Sequence, residues 1–346
     1  TGYQPALNCC KKMGDLLCKT FGKNAGQKDI ILAGEHIGMA ATSVLDPMVE
    51  LYRFTGDKKY LDFCYYILDA WEQPNGPKII SALMNTQKVN KVGNGKVYEM
   101  LSNFVGLANL YRITGDKKIL KPLEVAWEDI NKNKLYITGT ASSHEYFQGD
   151  GILPAEVKDQ MGEGCVTTTW IQFNQQLFTI TGDLKYLEAI EKSIYNHLLA
   201  AENPANGCVS YYTPLMGVKP YSCDITCCAS SVPRGIGMIP KFTIGNINNA
   251  VTLLLYESGI YKLNNGKNSG LELNIKSGFP EIGETEIQIK TKEPAFFRLA
   301  FRAPSWGENF KILVNNKSYS KIENGLISID KVWKSGDNIK VLFDIP

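Results

Sequence analysis

The feature that most constrains the fold is a segment that recurs three times along the chain. It reads LYRFTGDKKYLD at Leu51 to Asp62, LYRITGDKKILK at Leu110 to Lys121 and LFTITGDLKYLE at Leu177 to Glu188, with successive copies 59 and 67 residues apart. Each copy ends one apolar-periodic helix and turns on Thr-Gly-Asp. The glycine supplies the left-handed residue past the helix end, and the aspartate caps the next helix. The unit is an αα-hairpin. A period near 60 residues exceeds that of the common helical repeats, about 34 to 47, and leaves room for an extra loop in each unit. Hairpins with long inner loops predict an α/α toroid whose loops build a cleft. Helices are expected over residues 4–21, 37–54, 58–73, 97–113, 117–131, 164–180, 184–201 and 226–239. That is roughly eight against the twelve of a closed six-hairpin ring, so the toroid is expected to be incomplete at its N-terminal side. Residues 132–162, with LYITGT and QGDG, read as a long irregular inner loop, and such loops usually carry function.

From Ile244 the texture changes to short alternating runs divided by Gly and Asn: VTLLLYES, LELNIKS, TEIQIKT, FRLAFRA, FKILVNN, LISIDK and IKVLFDI. Period-two runs at this spacing predict an antiparallel β-sandwich. The fold class is therefore α+β and multidomain, with an α/α-toroid domain over residues 1–243 and a β-sandwich over 244–346. A length of 346 residues suits one large domain and one smaller one.

Charge and hydropathy narrow the partners. The formal net charge is +2, from 37 basic and 35 acidic residues, and no long basic run tracks a phosphate backbone. Nucleic acid and acidic membrane surfaces are not expected partners. No uninterrupted apolar stretch reaches the length of a membrane span. The chain is expected to be soluble and leaves a homo-oligomer open. Its compartment stays open too: many reduced thiols suit a cytoplasm, and a removed signal peptide would allow a periplasmic or secreted protein.

The chemistry-bearing residues are few. GxSxG, GxGxxG and GxxxxGK[ST] signatures are all absent, which leaves no hydrolase elbow and no nucleotide loop. There are nine cysteines and only three histidines, His36, His144 and His197. A chain of this size does not need disulfides to compensate for a small core, so buried thiols, a metal site or a reactive thiol are expected in their place. The candidate set is Glu145 in HEYF, Glu163 and Cys165 in GEGC, and Cys227 with Cys228 in TCCASS. Thiolate sulfur and carboxylate oxygen are zinc donors. Both cysteine motifs fall where a loop enters a helix, and the unsatisfied amides of a helix N-terminus favour anions. The spacings alone fit buried, unreactive cysteines equally well.

With these motifs the sequence resembles the β-L-arabinofuranosidases of glycoside hydrolase family 127, to which family 146 is related. The likeness runs through the LYRxTGDxxYL turns, KLYITG, the segment at Glu145, GEGC, YNHLLA, YYTPL, the Cys pair and FRAPSW. It implies one zinc ion held by Glu163, Cys165, Cys227 and Cys228, with Cys227 as nucleophile and Glu145 as acid/base. Tyr211 matches a tyrosine that contacts the sugar or the nucleophile, and His144, beside Glu145, is the second substrate-binding candidate. The departures are EGCVT where the family has ETCAS, Ala229, Ser230 and Ser231 after the Cys pair, and unmatched furanose-binding histidines.

The implied activity is a retaining glycoside hydrolase acting on a plant-type oligosaccharide or glycoconjugate. A thiolate at Cys227 attacks the anomeric carbon while Glu145 protonates the leaving oxygen, and water completes a second displacement. A thiolate near Glu145 is expected to raise that carboxyl's proton affinity. The alternatives are a carbohydrate-binding or structural zinc protein with all four ligand positions filled, and a carboxylate-only toroid lyase or unsaturated-sugar hydrolase.

Overall fold

A computed structural model of the chain describes residues 2–263 and 270–346. It has a helical N-terminal part and a sheet-rich C-terminal part, in two compact units: Thr1–Thr181 with Asn196–Arg234, and Gly182–Tyr195 with Gly235–Pro346.

The helical unit runs through α1 (Gln4–Thr20), α2 (Met39–Thr42), α3 (Leu45–Thr55), α4 (Lys58–Trp71), α5 (Ile79–Thr86), α6 (Val97–Thr114), α7 (Lys117–Asn133) and α8 (Gly164–Thr181). After α9 (Leu184–Ser193), which belongs to the second unit, come the short strands β1 (Val209–Ser210) and β2 (Tyr221–Ser222) and the helix α10 (Cys227–Ile236). Every repeat turn is built as its residues dictate. Gly56, Gly115 and Gly182 take φ of 69°, 68° and 70°, where a Cβ would be strained. Asp57, Asp116 and Asp183 then accept from the amides of Lys59, Lys118 and Lys185. Helices α3, α6 and α8 pack side by side in one row, and α4 and α7 each fold back on the helix before them. That inner and outer arrangement is a toroid wall. Central in the row, α6 buries Met100, Leu101, Phe104, Leu107 and Leu110. Its Gly106 lets α3 approach so closely that a Cβ there would lie 2.7 Å from the Asp46 backbone nitrogen.

The stretch 37–54, expected as one helix, divides into α2 and α3, and two further differences have local causes. Helix α5 was not expected; it is short and enters from Lys78 in a left-handed conformation, with no side-chain cap to announce it. Past α9, residues Ile194–Leu198 widen into a π turn where an unbroken helix to residue 201 was expected.

Among its described residues the second unit holds α9 and ten strands: β3 (Ile244–Ile247), β4 (Ala250–Leu253), β5 (Gly259–Leu263), β6 (Leu271–Ser277), β7 (Glu284–Lys290), β8 (Ala295–Arg302), β9 (Glu308–Val314), β10 (Lys317–Tyr319), β11 (Leu326–Trp333) and β12 (Asn338–Asp344). They form a six-stranded sheet, β10-β9-β12-β7-β6-β5, and a four-stranded sheet, β11-β8-β4-β3. All neighbours are antiparallel except β4 and β8. Alternation fills the core: Leu271, Leu273 and Ile275 of β6 face inward with Ile287 and Ile289 of β7 and Ile339 and Val341 of β12. Within this unit the buried Arg302 guanidinium pairs with Glu191 of α9, whose second oxygen accepts from Trp306 Nε1 at 2.9 Å.

Candidate active and metal site

Glu145 stands in the long loop before α8, in a stretch of unusual backbone. Ser142, His144 and Glu145 have φ of 79°, 50° and 70°, a conformation that non-glycine residues adopt at a cost of about 1–3 kcal/mol each and that clusters at functional sites. The Glu145 carbonyl accepts from the Val97 amide at 3.0 Å, which ties the loop to the start of α6. At that start Lys96 pairs its ammonium with Glu145 Oε2. Glu145 Oε1 accepts from the Tyr212 hydroxyl at 2.5 Å and from the Tyr211 hydroxyl at 3.2 Å.

The tyrosines reach this position through a backbone ladder. The Gly164 amide donates to the Tyr211 carbonyl at 3.0 Å and the Thr213 amide to the Gly162 carbonyl at 3.3 Å, so residues 211–213 lie along the GEGC loop. A disulfide between Cys208 and Cys223 closes the hairpin that carries them. This corrects the expectation of unpaired thiols. Chain size decides whether disulfides are needed, not whether two cysteines meet, and the pairing of Val209 with Ser222 sets Cys208 opposite Cys223.

Glu163, Cys165, Cys227 and Cys228 converge: one ligand atom from each lies within 4.8 Å of all the others. Cys165 sits in the first turn of α8 and Cys227 begins α10, where Thr226 Oγ1 accepts the Ala229 amide at 3.1 Å. The Cys228 and Cys165 sulfurs are 3.5 Å apart, close to the ~3.8 Å edge of a tetrahedron with Zn–S bonds of about 2.3 Å. Cys165 also bonds Ser231 Oγ at 3.2 Å. Cys165 and Cys228 are buried, whereas Cys227 is exposed and its thiol donates to the Tyr211 hydroxyl at 3.1 Å.

The electrostatics of the set are those of crowded anions. Burial first, then the negative charges of Cys165 and Glu145, push the Glu163 carboxyl up to about 9. Its Oε2 is buried with no hydrogen-bond partner. Hydrogen bonds from Cys228 first, then from Ser231 and Cys227, bring Cys165 down to about 6 against the effect of burial. Cys228 rises because it gives its hydrogen bond to Cys165, and Cys227 rises chiefly because the packed side of its thiol is desolvated. Three thiols and a carboxyl at this spacing cannot all ionise unaided; a cation among them would remove the conflict and satisfy the orphaned oxygen. The donor set fits zinc.

Glu145 behaves opposite to expectation. Burial raises its proton affinity, but the Lys96 ammonium and the two tyrosine hydroxyls outweigh burial and hold the carboxyl below the usual glutamate range. Lys96 carried no signal in the sequence: it lies 49 residues from its partner, in a segment that reads only as a glycine-rich turn before a helix. Tyr212 stands in the YYTPL motif, but nothing there ties it to Glu145. His144 is exposed, with Nδ1 at 3.1 Å from Ser143 Oγ.

Fold and site together define a class: a toroid-wall helical unit, followed by a β-rich unit, with a thiol and carboxylate centre at two helix N-termini. The chain belongs to the β-L-arabinofuranosidase family, glycoside hydrolase family 127, whose catalytic-domain model matches residues 1–242 and whose middle-domain model matches residues 250–345. A curated relative, the non-reducing end β-L-arabinofuranosidase of Bifidobacterium longum subsp. longum, is 23% identical over 391 residues, covering 100% of this chain and 57% of that protein. A solved GH127 β-arabinofuranosidase superposes with a TM-score of 0.80 at 26% identity, over 99% of this chain and 56% of that one. The GH127 β-L-arabinofuranosidase from Geobacillus stearothermophilus T6 gives a TM-score of 0.78 at 20% identity, over 100% of this chain and 59% of its own length. The chain thus spans a little over half the length of these relatives. Among the described residues no helix is long and apolar enough to cross a membrane.

Proposed function

We propose that the chain carries the catalytic centre of a retaining glycoside hydrolase of the β-L-arabinofuranosidase type, with Cys227 as nucleophile and Glu145 as acid/base. Residues 1–243 form the catalytic domain in this reading and residues 244–346 an accompanying β-sandwich. One observation carries it: Cys227 Sγ, the Tyr211 hydroxyl and Glu145 Oε1 form a hydrogen-bonded line with steps of 3.1 and 3.2 Å, and Cys227 is the exposed thiol of its cluster. A nucleophile and a proton carrier are thereby held on one accessible face.

Glu163, Cys165, Cys227 and Cys228 would hold zinc, whose positive charge would keep the thiols ionised at neutral pH. The proton that leaves Cys227 has a marked route through the Tyr211 hydroxyl to Glu145, which turns a thiol and a carboxylate into the thiolate and the acid that the first step needs. The thiolate then attacks the anomeric carbon as Glu145 gives its proton to the leaving oxygen, forming a thioglycosyl bond at Cys227. In the second displacement Glu145 is again ionised and takes a proton from water, which cleaves that bond. Lys96 and Tyr212, which stabilise the carboxylate, favour this base role. Tyr211 and His144 are assigned to the sugar.

The test is hydrolysis of an aryl β-L-arabinofuranoside by zinc-loaded protein, with the first-formed anomer read by NMR. Cys227→Ser is expected to abolish turnover, and the wild type to retain configuration. Full activity of Cys227→Ser, or inversion, overturns the assignment. A second reading, a structural or carbohydrate-binding zinc protein, draws on the same tetrad, because four protein donors can fill a tetrahedral site. It predicts that a sugar electrophile leaves Cys227 unlabelled while zinc stays bound.

A further inference from the structure

The two halves of the ligand set ride on different helices, and a residue outside the set ties them together. Glu163 and Cys165 stand at the start of α8, and Cys227 and Cys228 open α10. The two helices meet closely: a Cβ at Gly164 would lie 2.6 Å from Val232 Cγ2 and 3.4 Å from Cys228 Cβ. Ser231 is buried in this contact, one turn along α10 from Cys228 and so on the same helix face. Three side chains converge on it. The Thr168 hydroxyl of α8 donates to the Ser231 carbonyl at 3.0 Å, and Arg234 Nη2 donates to Ser231 Oγ at 3.3 Å. Cys165 Sγ lies 3.2 Å from the same Oγ. The proposed mechanism uses none of Thr168, Ser231 and Arg234, and Ser231 is one of the positions where the chain departs from the family it resembles.

Counting protons gives the contact between Ser231 and Cys165 a direction. A hydroxyl has one proton and two acceptor lone pairs, and a guanidinium only donates. Arg234 therefore occupies a lone pair of Ser231 Oγ and leaves its proton free. A cysteine that ligates a metal does so as a thiolate, with no proton to give. In the metal-bound state a bond between these two atoms can run only from the Ser231 hydroxyl to the Cys165 sulfur. The neighbouring Ser230 makes a useful contrast: it is exposed, and its hydroxyl goes to the Cys227 carbonyl at 2.9 Å.

We propose that Ser231, oriented by Arg234, is a positioning residue of the metal centre, whose hydroxyl donates to the Cys165 sulfur and holds it in place against the ligands on α10. This rests on the metal reading of the tetrad and extends it beyond the four donors. Groups that hydrogen-bond a ligand atom fix its orientation and raise the affinity of the site. Here the need is specific, because Cys165 and Cys228 are buried with their sulfurs 3.5 Å apart, and two thiolates at that distance repel. A donor aimed at Cys165 offsets part of that repulsion. Since Ser231 shares its helix with Cys227 and Cys228, one hydroxyl couples the ligand of α8 to the pair on α10.

The test is metal binding, which does not depend on turnover. Zinc affinity is measured by competition with a chromophoric chelator, and cobalt(II) loaded in place of zinc reports the sulfurs through its sulfur-to-metal charge-transfer absorption. Wild type is compared with Ser231→Ala, Ser231→Thr and Thr168→Val, with folding checked by circular dichroism. Ser231→Ala is expected to weaken zinc about 10- to 100-fold, the usual loss for a group that supports a ligand. It also moves the charge-transfer band to longer wavelength, because a sulfur that loses a donor holds its electrons less tightly. Ser231→Thr, which keeps the hydroxyl, restores both. Thr168→Val breaks the bond between the helices but spares the sulfur contact, so its band stays at the wild-type position. Where Ser231→Ala does not fold, Arg234→Met, at an exposed position, shifts the band in the same direction by less. The inference is overturned if folded Ser231→Ala matches wild type in affinity and band. It is equally overturned if its band is unmoved and Thr168→Val loses as much zinc, the mark of a merely structural clamp. Failure of the metal reading looks different: wild type then takes up neither zinc nor cobalt, and the inference falls with it.

Discussion

His197 offers a direct measure of how firmly the GEGC loop is held. The residue is fully buried and its Nε2 donates to the Gly162 carbonyl at 3.1 Å, immediately before the ligand candidate Glu163. Burial first, and the charge of Lys219, bring the ring down to about 4 from its ordinary 6.5, against the opposing pull of the Gly162 carbonyl. The folded ring thus stays neutral while the unfolded chain takes up a proton as pH falls below 6.5. The stability tied to the neutral ring is whole above that value, declines on acidification and is gone below about 4. At 1.36 kcal/mol per unit the full loss is about 3 kcal/mol. His197→Gln removes the titration while keeping a donor for Gly162. Urea unfolding of both proteins, followed by tryptophan fluorescence of the helical unit with Trp71, Trp127 and Trp170, is compared from neutral pH down to 4. Other carboxyls titrate alike in both proteins and cancel. The stability advantage of wild type over His197→Gln is expected to shrink by about 3 kcal/mol across the window. A constant difference, or a His197 ring that titrates near 6.5 by NMR, refutes the reasoning.

Gly106→Ala places a methyl 2.7 Å from the Asp46 backbone nitrogen, and because backbone cannot yield as a side chain can, a loss of about 1–3 kcal/mol is expected in thermal unfolding. Glu191→Gln leaves the Arg302 guanidinium, which is 0% exposed, without its counter-charge; the expected cost is about 3–5 kcal/mol, read from the unfolding of the β-rich unit by chemical denaturation.

What the sequence declared and what it withheld divide along the range of the interactions. The Thr-Gly-Asp turns were legible because each is a local rule: Gly56, Gly115 and Gly182 need a positive φ and the following aspartates cap the next helix, all within four residues. Strands such as Leu271–Ser277 were legible through period-two alternation against a one-sided core. The run VTLLLYES was over-read as one strand, because β4 ends at Leu253 and Leu254, Leu255 and Tyr256 are buried outside any strand. Apolar character alone does not separate those cases. The four ligand candidates could be named because the GEGC and TCCASS segments match those of the family the sequence resembles; their spacing alone left buried, unreactive cysteines equally open.

Of the partners of Glu145 only Tyr211 stood among the site candidates, and the consequence is chemical. Acid/base work depends on the sign of a proton-affinity shift, and here that sign is decided by Lys96, Tyr211 and Tyr212, which arrive from the N-terminus of α6 and from the hairpin closed by Cys208 and Cys223. Reasoning from the neighbouring thiols alone predicted a raised carboxyl. The thiols do raise a carboxyl, but it is Glu163, the one that shares their pocket, while Glu145 lies one tyrosine away from the nearest sulfur. Two glutamates of similar sequence setting are thus driven in opposite directions by what packs against them. The division suits the proposed roles: the raised carboxyl is the one whose orphaned oxygen a cation would satisfy, and the lowered one is the carboxylate poised to take a proton.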